Sequence, residues 1–265
     1  MVTTNDAVLL PSDFAVFAPH RQRDKLLNPA RRKTRAKLGA IGKRSQAHLK
    51  SAHGLALQIR TSISHPYSFN AYKVDALWFY LSREKKDREG LHAVLGEEFS
   101  EDLDPNYLHL LFFGEIHEKG FRTGLRCHER AWWDTQNISS ILKDAAGRKE
   151  LSALLQPLAD FLLRIHDYQK LYRAEEMTPG LLQTFGDYFK PGEHRFTLWT
   201  EYCADDPRLL SADWPQVLAD RLSLLVSVYR KLAWSPQNDR VFHEARARGA
   251  DRSAEGRAPS PRTTS

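Results

Sequence analysis

From Gly54 onward the chain repeatedly alternates apolar and polar residues with a period of two, and this constrains its fold more than any other feature. In LALQIRTSI, Leu55, Leu57, Ile59 and Ile63 alternate with Gln58, Arg60 and Ser62, as a strand with one face on a core and the other in water requires. KVDALWFYLS is apolar on both faces, which suits a strand covered on both sides or a buried helix, with Asp75 awkwardly placed. YLHLLFFGEI and FRTGLRCH flank the turn HEKG, and RFTLWTEYC and FLLRIHDY have the composition of further strands. Six strands are expected.

Helical spacing falls between and after these segments. In SADWPQVLADRLSLLVSVYRKLAW, residues Trp214, Val217, Leu218, Leu222, Leu225, Val228, Tyr229 and Leu232 form one stripe. Ser211 or Asp213 can cap its start and Pro215 is tolerated in a first turn, so one long amphipathic helix over 213–233 is predicted. GRKELSALLQPL and PGLLQTFGDYF predict shorter helices near 147–156 and 179–189. Strands and helices do not alternate strictly. The expected class is therefore α+β: a mostly antiparallel sheet of about six strands with helices packed on one face.

The ends differ from the middle. Residues 1–60 hold 12 Lys and Arg against 3 Asp and Glu, residues 61–239 hold 21 against 27, and residues 240–265 hold 6 against 3. From Pro29 the apolar residues Leu38, Ile41 and Leu49 are sparse for a helix packed on a core, so residues 1–50 are expected to form a basic segment, partly helical or flexible and lying on the surface. A single α+β domain is expected over 51–240. The tail over 241–265, rich in Arg, Ala, Ser and Pro with almost no large apolar residue, is expected to be disordered because it buries too little surface to offset chain entropy.

Composition narrows the function classes. With 265 residues, 42% of them hydrophobic, the chain can bury a substantial core. Only Cys127 and Cys203 are present, which gives neither a disulfide framework nor the paired spacing of a structural zinc site. No window approaches the roughly 18 apolar residues of a membrane span, and MVTTNDAVLLPSDF lacks the basic and apolar regions of a secretory signal. A cytoplasmic protein without membrane contact is expected. GxSxG, Walker, GxGxxG and kinase signatures are absent, so no cofactor is expected.

Three constellations remain. The strongest partner signal is the N-terminal run, where Arg31, Arg32, Lys33, Arg35, Lys37, Lys43 and Arg44 could neutralise nucleic-acid phosphates or meet an acidic protein. In the hairpin around HEKG, pairing Ile116 with Phe121 sets Glu115 opposite Arg122 and His109 opposite His128. Two facing histidines with Glu129 or Asp134 nearby would be sensible metal ligands or an acid–base site, although nothing like HExxH accompanies them. In AWWDTQN, Asp134 can cap a helix, with Trp133 and Ile138 at the spacing of a hydrophobic staple; exposed tandem indoles could instead stack on bases. RIHD, with Arg164, His166 and Asp167, is either an acid–base cluster or a solvated strand edge. The leading expectation is a binding module that contacts nucleic acid or an acidic protein through its basic N-terminal segment. Its rivals are a metal-dependent hydrolase centred on residues 107–137 and a scaffold subunit whose 213–233 helix docks a partner.

Overall fold

The computed structural model describes residues 7–62, 73–87, 108–166 and 170–241. Seven strands form one antiparallel sheet: β1 (Leu57–Thr61), β2 (Ala76–Arg83), β3 (Leu110–His117), β4 (Gly120–Cys127), β5 (Leu162–Ile165), β6 (Tyr172–Arg173) and β7 (Phe196–Cys203), in the order β1-β2-β3-β4-β7-β5-β6. The six expected segments all become strands. The seventh, β6, is two residues long and pairs with β5, too short to leave a periodic signal. The β3–β4 register matches the sequence expectation, with Ile116 on Phe121 and Glu115 on Arg122. Such a register is fixed because a slip by one residue would turn every core side chain to the opposite face.

Along β7 the burial alternates strictly: Phe196, Leu198, Thr200 and Tyr202 are buried and Glu201 and Cys203 exposed. Phe79, Leu81, Phe112, Ile116, Phe121, Leu125, Leu163 and Ile165 share the core with Phe196 and Leu198. The other face carries Phe113, Glu115, Arg122, Arg126, Arg164, Thr197 and Trp199, as the pairing requires.

Helices cover the core face. The N-terminal segment supplies α1 (Pro11–Ala15) and α2 (Asn28–His53), the latter 26 residues long. Here the structure corrects the reading of residues 1–50, because α2 does not merely lie on the surface. Its buried residues Arg31, Thr34, Leu38, Ile41, Gly42, Ser45 and Leu49 recur every three or four positions, so it packs on the sheet through a true helical stripe. Four of those seven are not large apolar residues, so hydrophobicity alone did not reveal the stripe. Gly42 lets the helix come close: a Cβ there would lie 2.4 Å from Ile59 Cδ1 and 2.9 Å from Phe79 Cγ. At the C-terminus Gly54 adopts a left-handed conformation (φ 64°), and Leu55 N–H returns to Leu49 O at 3.2 Å, a closing pattern that favours glycine.

After β4 come α3 (Trp132–Lys143) and α4 (Ala145–Leu155), the second capped by Asp144, whose carboxylate accepts from Ala146 and Gly147 N–H. Next is α5 (Pro179–Tyr188), close to its predicted bounds. The expected single helix over 213–233 is two, α6 (Trp214–Ser223) and α7 (Val226–Leu232), separated by a tight turn at Leu224 and Leu225. The apolar stripe is real, since Trp214, Leu218, Leu222, Leu225, Val228, Tyr229 and Leu232 are all buried. Its two halves meet different neighbours. The first packs on α2, with Trp214 edge-on to Phe121 and Tyr202, and the second reaches α3, α4 and β3. A continuous 3.6-residue pattern cannot register that change of direction. The expected tail over 241–265 lies almost wholly outside the described residues, and Asp167 lies outside them too. Among the described residues no helix is long and apolar enough to cross a membrane.

Candidate functional site

The basic run splits into residues that build the fold and residues that face solvent. Arg31 belongs to the first group. Its side chain is fully buried, and its guanidinium donates to the carbonyls of Asp24 (2.9 Å), Arg21 (2.7 Å), Gln22 (3.2 Å) and Val16 (3.3 Å) and to Asn28 Oδ1 (3.0 Å). Burial lowers its pKa, with the charge of Asp24 working the other way. Five acceptors engage its two terminal nitrogens, and burial keeps the guanidinium from a phosphate in solvent. Arg44 points elsewhere and donates to Gln216 Oε1 on α6 at 2.8 and 3.2 Å.

The remaining cations share one groove between α2 and the edge strand β1, with a volume of about 840 Å³. Arg32, Lys33 and Lys43 come from the helix and Arg60 from the strand; all four are exposed, and none has an ion pair among the described residues. Arg35 and Lys37 are half-buried walls: Arg35 donates to Thr61 Oγ1 at 3.1 Å, and Lys37 meets Asp13 at 2.5 Å. Asp13 in turn accepts from Thr34 Oγ1 and Leu10 N–H, which ties α1 to α2. Among the described residues the groove is lined by no aromatic side chain, but by Ile59, Ala36, Ala40, Gly39 and Thr61 beside the cations.

The AWWDTQN segment proves to be architecture. Helix α3 begins at Trp132 with Ala131 before it, so Asp134 lies within the first turn and does not cap it. The Asp134 carboxylate leaves its own helix: it accepts from Leu110 N–H at 2.6 Å and Trp234 N–H at 2.7 Å, and it pairs with Arg83 at 3.2 Å. Arg83 also donates to Trp234 O. Removing Asp134 would leave a nearly buried guanidinium and two amides without their acceptor, a loss on the order of 3–5 kcal/mol. Trp133 is not stapled to Ile138. It packs on Trp234, with centroids 5.1 Å apart, in a small cluster of its own. Trp132 is 44% exposed.

The histidine pair is less converged than its register suggested. The β3–β4 ladder stops at Leu110 and Cys127, one residue short of His109 and His128. His109 is buried, whereas His128 is half-exposed beside Glu129 at 3.5 Å. Glu129 is held by Arg195 through two bonds of 3.1 and 3.3 Å. Burial works against the Glu129 charge, but the Arg195 hydrogen bonds and charge outweigh it and keep the pKa below the usual carboxylate value. Burial lowers the His128 pKa; the charges of Arg195, Arg130 and Arg126 act in the same sense, and that of Glu129 opposes them. Among the described residues no group of three or more His, Cys, Asp or Glu is placed to hold a metal ion. Cys127 is fully buried, which raises its thiol pKa well above the ordinary value.

A second cluster of cations was not singled out as a set from the sequence. Arg122, Arg126, Arg164 and Arg195 line a depression of about 380 Å³ on the sheet face opposite the helices, together with Phe113, Glu115, His166, Thr197 and Trp199. The signal was present as period-two arginines in FRTGLRCH and a further one in LLRIHDY. Only the order β4-β7-β5 shows that they converge. No family model matches this chain, and no curated protein is similar to it.

Proposed function

We propose that the protein is a sequence-independent nucleic-acid-binding module whose contact surface is the groove between α2 and β1. The observation that carries this reading is the line of exposed cations Arg32, Lys33, Lys43 and Arg60, which have no carboxylate partner among the described residues. Unpaired surface cations along one groove attract polyanions and release condensed counterions on binding. Among the described residues the lining holds no aromatic side chain, which favours phosphate contacts, and these position a duplex without reading it. A rigid helix of 26 residues presents these charges with their spacing fixed by the Gly42 and Leu38 packing beneath. Two cysteines that form no disulfide accord with a reducing compartment such as the cytoplasm.

Neutralising about four phosphates gives a log–log salt slope near −3.6, so duplex affinity should fall by about a hundredfold between 50 and 200 mM salt. Fluorescence anisotropy with a labelled duplex measures this. Arg32→Glu combined with Lys43→Glu should weaken binding at least about tenfold and flatten the slope by about two. A slope near zero, or unchanged affinity in the double variant, would refute the assignment. Polyglutamate of matched charge is the competitor; tighter binding of it than of duplex would reassign the groove to an acidic protein.

A further inference from the structure

The arginine-lined depression on the opposite sheet face has a different construction, and we infer that it binds a compact phosphomonoester, independently of the α2 groove. Three adjacent strands build it. Cross-strand pairing sets Arg126 on β4, Thr197 on β7 and Arg164 on β5 in one row, and Phe113, Gly124, Trp199 and Leu162 in the next. A third row brings Glu115, Arg122 and Glu201 together. Arg195 enters from the segment just before β7.

Carboxylates hold three of the four guanidiniums. Arg126 lies 3.2 Å from Glu115 and 4.1 Å from the centroid of the Phe113 ring, Arg122 is 3.3 Å from Glu201, and Arg195 is clamped by Glu129. These contacts restrict the side chains and leave several N–H donors on each. Arg164 is exposed and has neither an ion pair nor a hydrogen bond among the described residues. One further donor lacks an acceptor among the described residues: Trp199 Nε1 is a buried atom with no hydrogen-bond partner. One carboxylate is already satisfied by one guanidinium, as Glu129 and Arg195 show. Donors arriving from three strands around a depression of this size suit a phosphoryl group, whose three terminal oxygens accept from several directions at once. The half-buried Trp199 indole adds a place for a ring or sugar carried by the phosphate, while Arg126 covers the buried Phe113 ring. RIHD thus contributes Arg164 and His166 to the wall of a binding site.

Isothermal titration of the full-length protein with adenosine 5′-monophosphate, inorganic phosphate and succinate tests the inference. Saturable binding of adenosine 5′-monophosphate at one site per chain is expected, with succinate weaker by about tenfold or more. Arg164→Ala, at an exposed position that leaves the melting temperature unchanged, should weaken the phosphate ligands by about tenfold. Trp199→Phe keeps the ring, loses the N–H, and should weaken them less. Arg32→Glu with Lys43→Glu should leave this binding intact even if duplex binding is lost, or was never present. Absence of saturable phosphate binding at about 10 mM, equal affinity for succinate, or indifference to Arg164→Ala would overturn it.

Discussion

The two cationic grooves use the same charge in opposite ways. Along α2 and β1 the exposed Lys and Arg side chains have no carboxylate partner among the described residues, so they offer a diffuse positive field that any phosphate chain can satisfy. On the other side of the sheet the arginines are interleaved with Glu115, Glu129 and Glu201 and set against Phe113 and Trp199. Carboxylates there cancel much of the net charge but fix the direction of the donors. A field without fixed geometry favours long polyanions, and fixed donors with little net charge favour one small anion.

The largest effects should come from removing the glycine beneath each groove. A Cβ at Gly124 would lie 2.0 Å from Leu198 O and 2.7 Å from Trp199 Cα, both main-chain atoms, so Gly124→Val must part β4 from β7. A destabilisation of about 3 kcal/mol or more, read by urea unfolding, is expected. Gly42→Val meets the side chains of Ile59 and Phe79, which can move, and should cost less, about 1–3 kcal/mol. If the order is reversed, the relative rigidity assigned to the two sites is wrong.

Salt should separate the grooves by a smaller but clearer margin. Duplex binding should lose about a hundredfold across the range given above, whereas phosphomonoester binding, which involves one anion, should change by only a few fold. Comparable slopes for the two ligands would erase the distinction. The smallest effect concerns pH. Burial lowers the His117 pKa, the charge of Arg122 adds to this, and Glu201 and Glu115 oppose it; His128 is also lowered. A histidine whose folded pKa lies below its unfolded value contributes its full stability above the unfolded value of 6.5. That contribution is lost as pH falls through the folded pKa. Glu129 acts in the same direction at lower pH, below its ordinary value of 4.5. Melting temperature should therefore drop as pH falls from 7 toward 5, and His117→Asn should flatten that drop. Neither of these histidines lines the α2 groove, so duplex affinity measured over the same interval should hold nearly constant while the protein stays folded.

Much of this architecture could be read from residue order. Alternation, strand composition and turn signals located six of the seven strands among the described residues, and the β3–β4 register followed from the hairpin turn because opposed positions must share a face. The stripe of α6 and α7 was legible as burial, but its break was not, since the direction of a helix depends on what each half packs against. The contribution of α2 to the core was hidden because Arg31, Thr34, Gly42 and Ser45 occupy its buried face. Their suitability rests on partners far away in the chain, such as the carbonyls around Arg31 and the close approach of Phe79 to Gly42.

What the sequence alone determined was the α+β class and the excess of cations near the N-terminus, because backbone periodicity and net charge are local properties. Tertiary structure alone decided which arginine is buried and which faces a groove, and that Asp134 binds across three segments rather than capping its own helix. It also decided that residues 122, 126, 164 and 195 meet. Those outcomes depend on strand order and on which distant acceptor fills each donor, and neither is written into any short window of the chain.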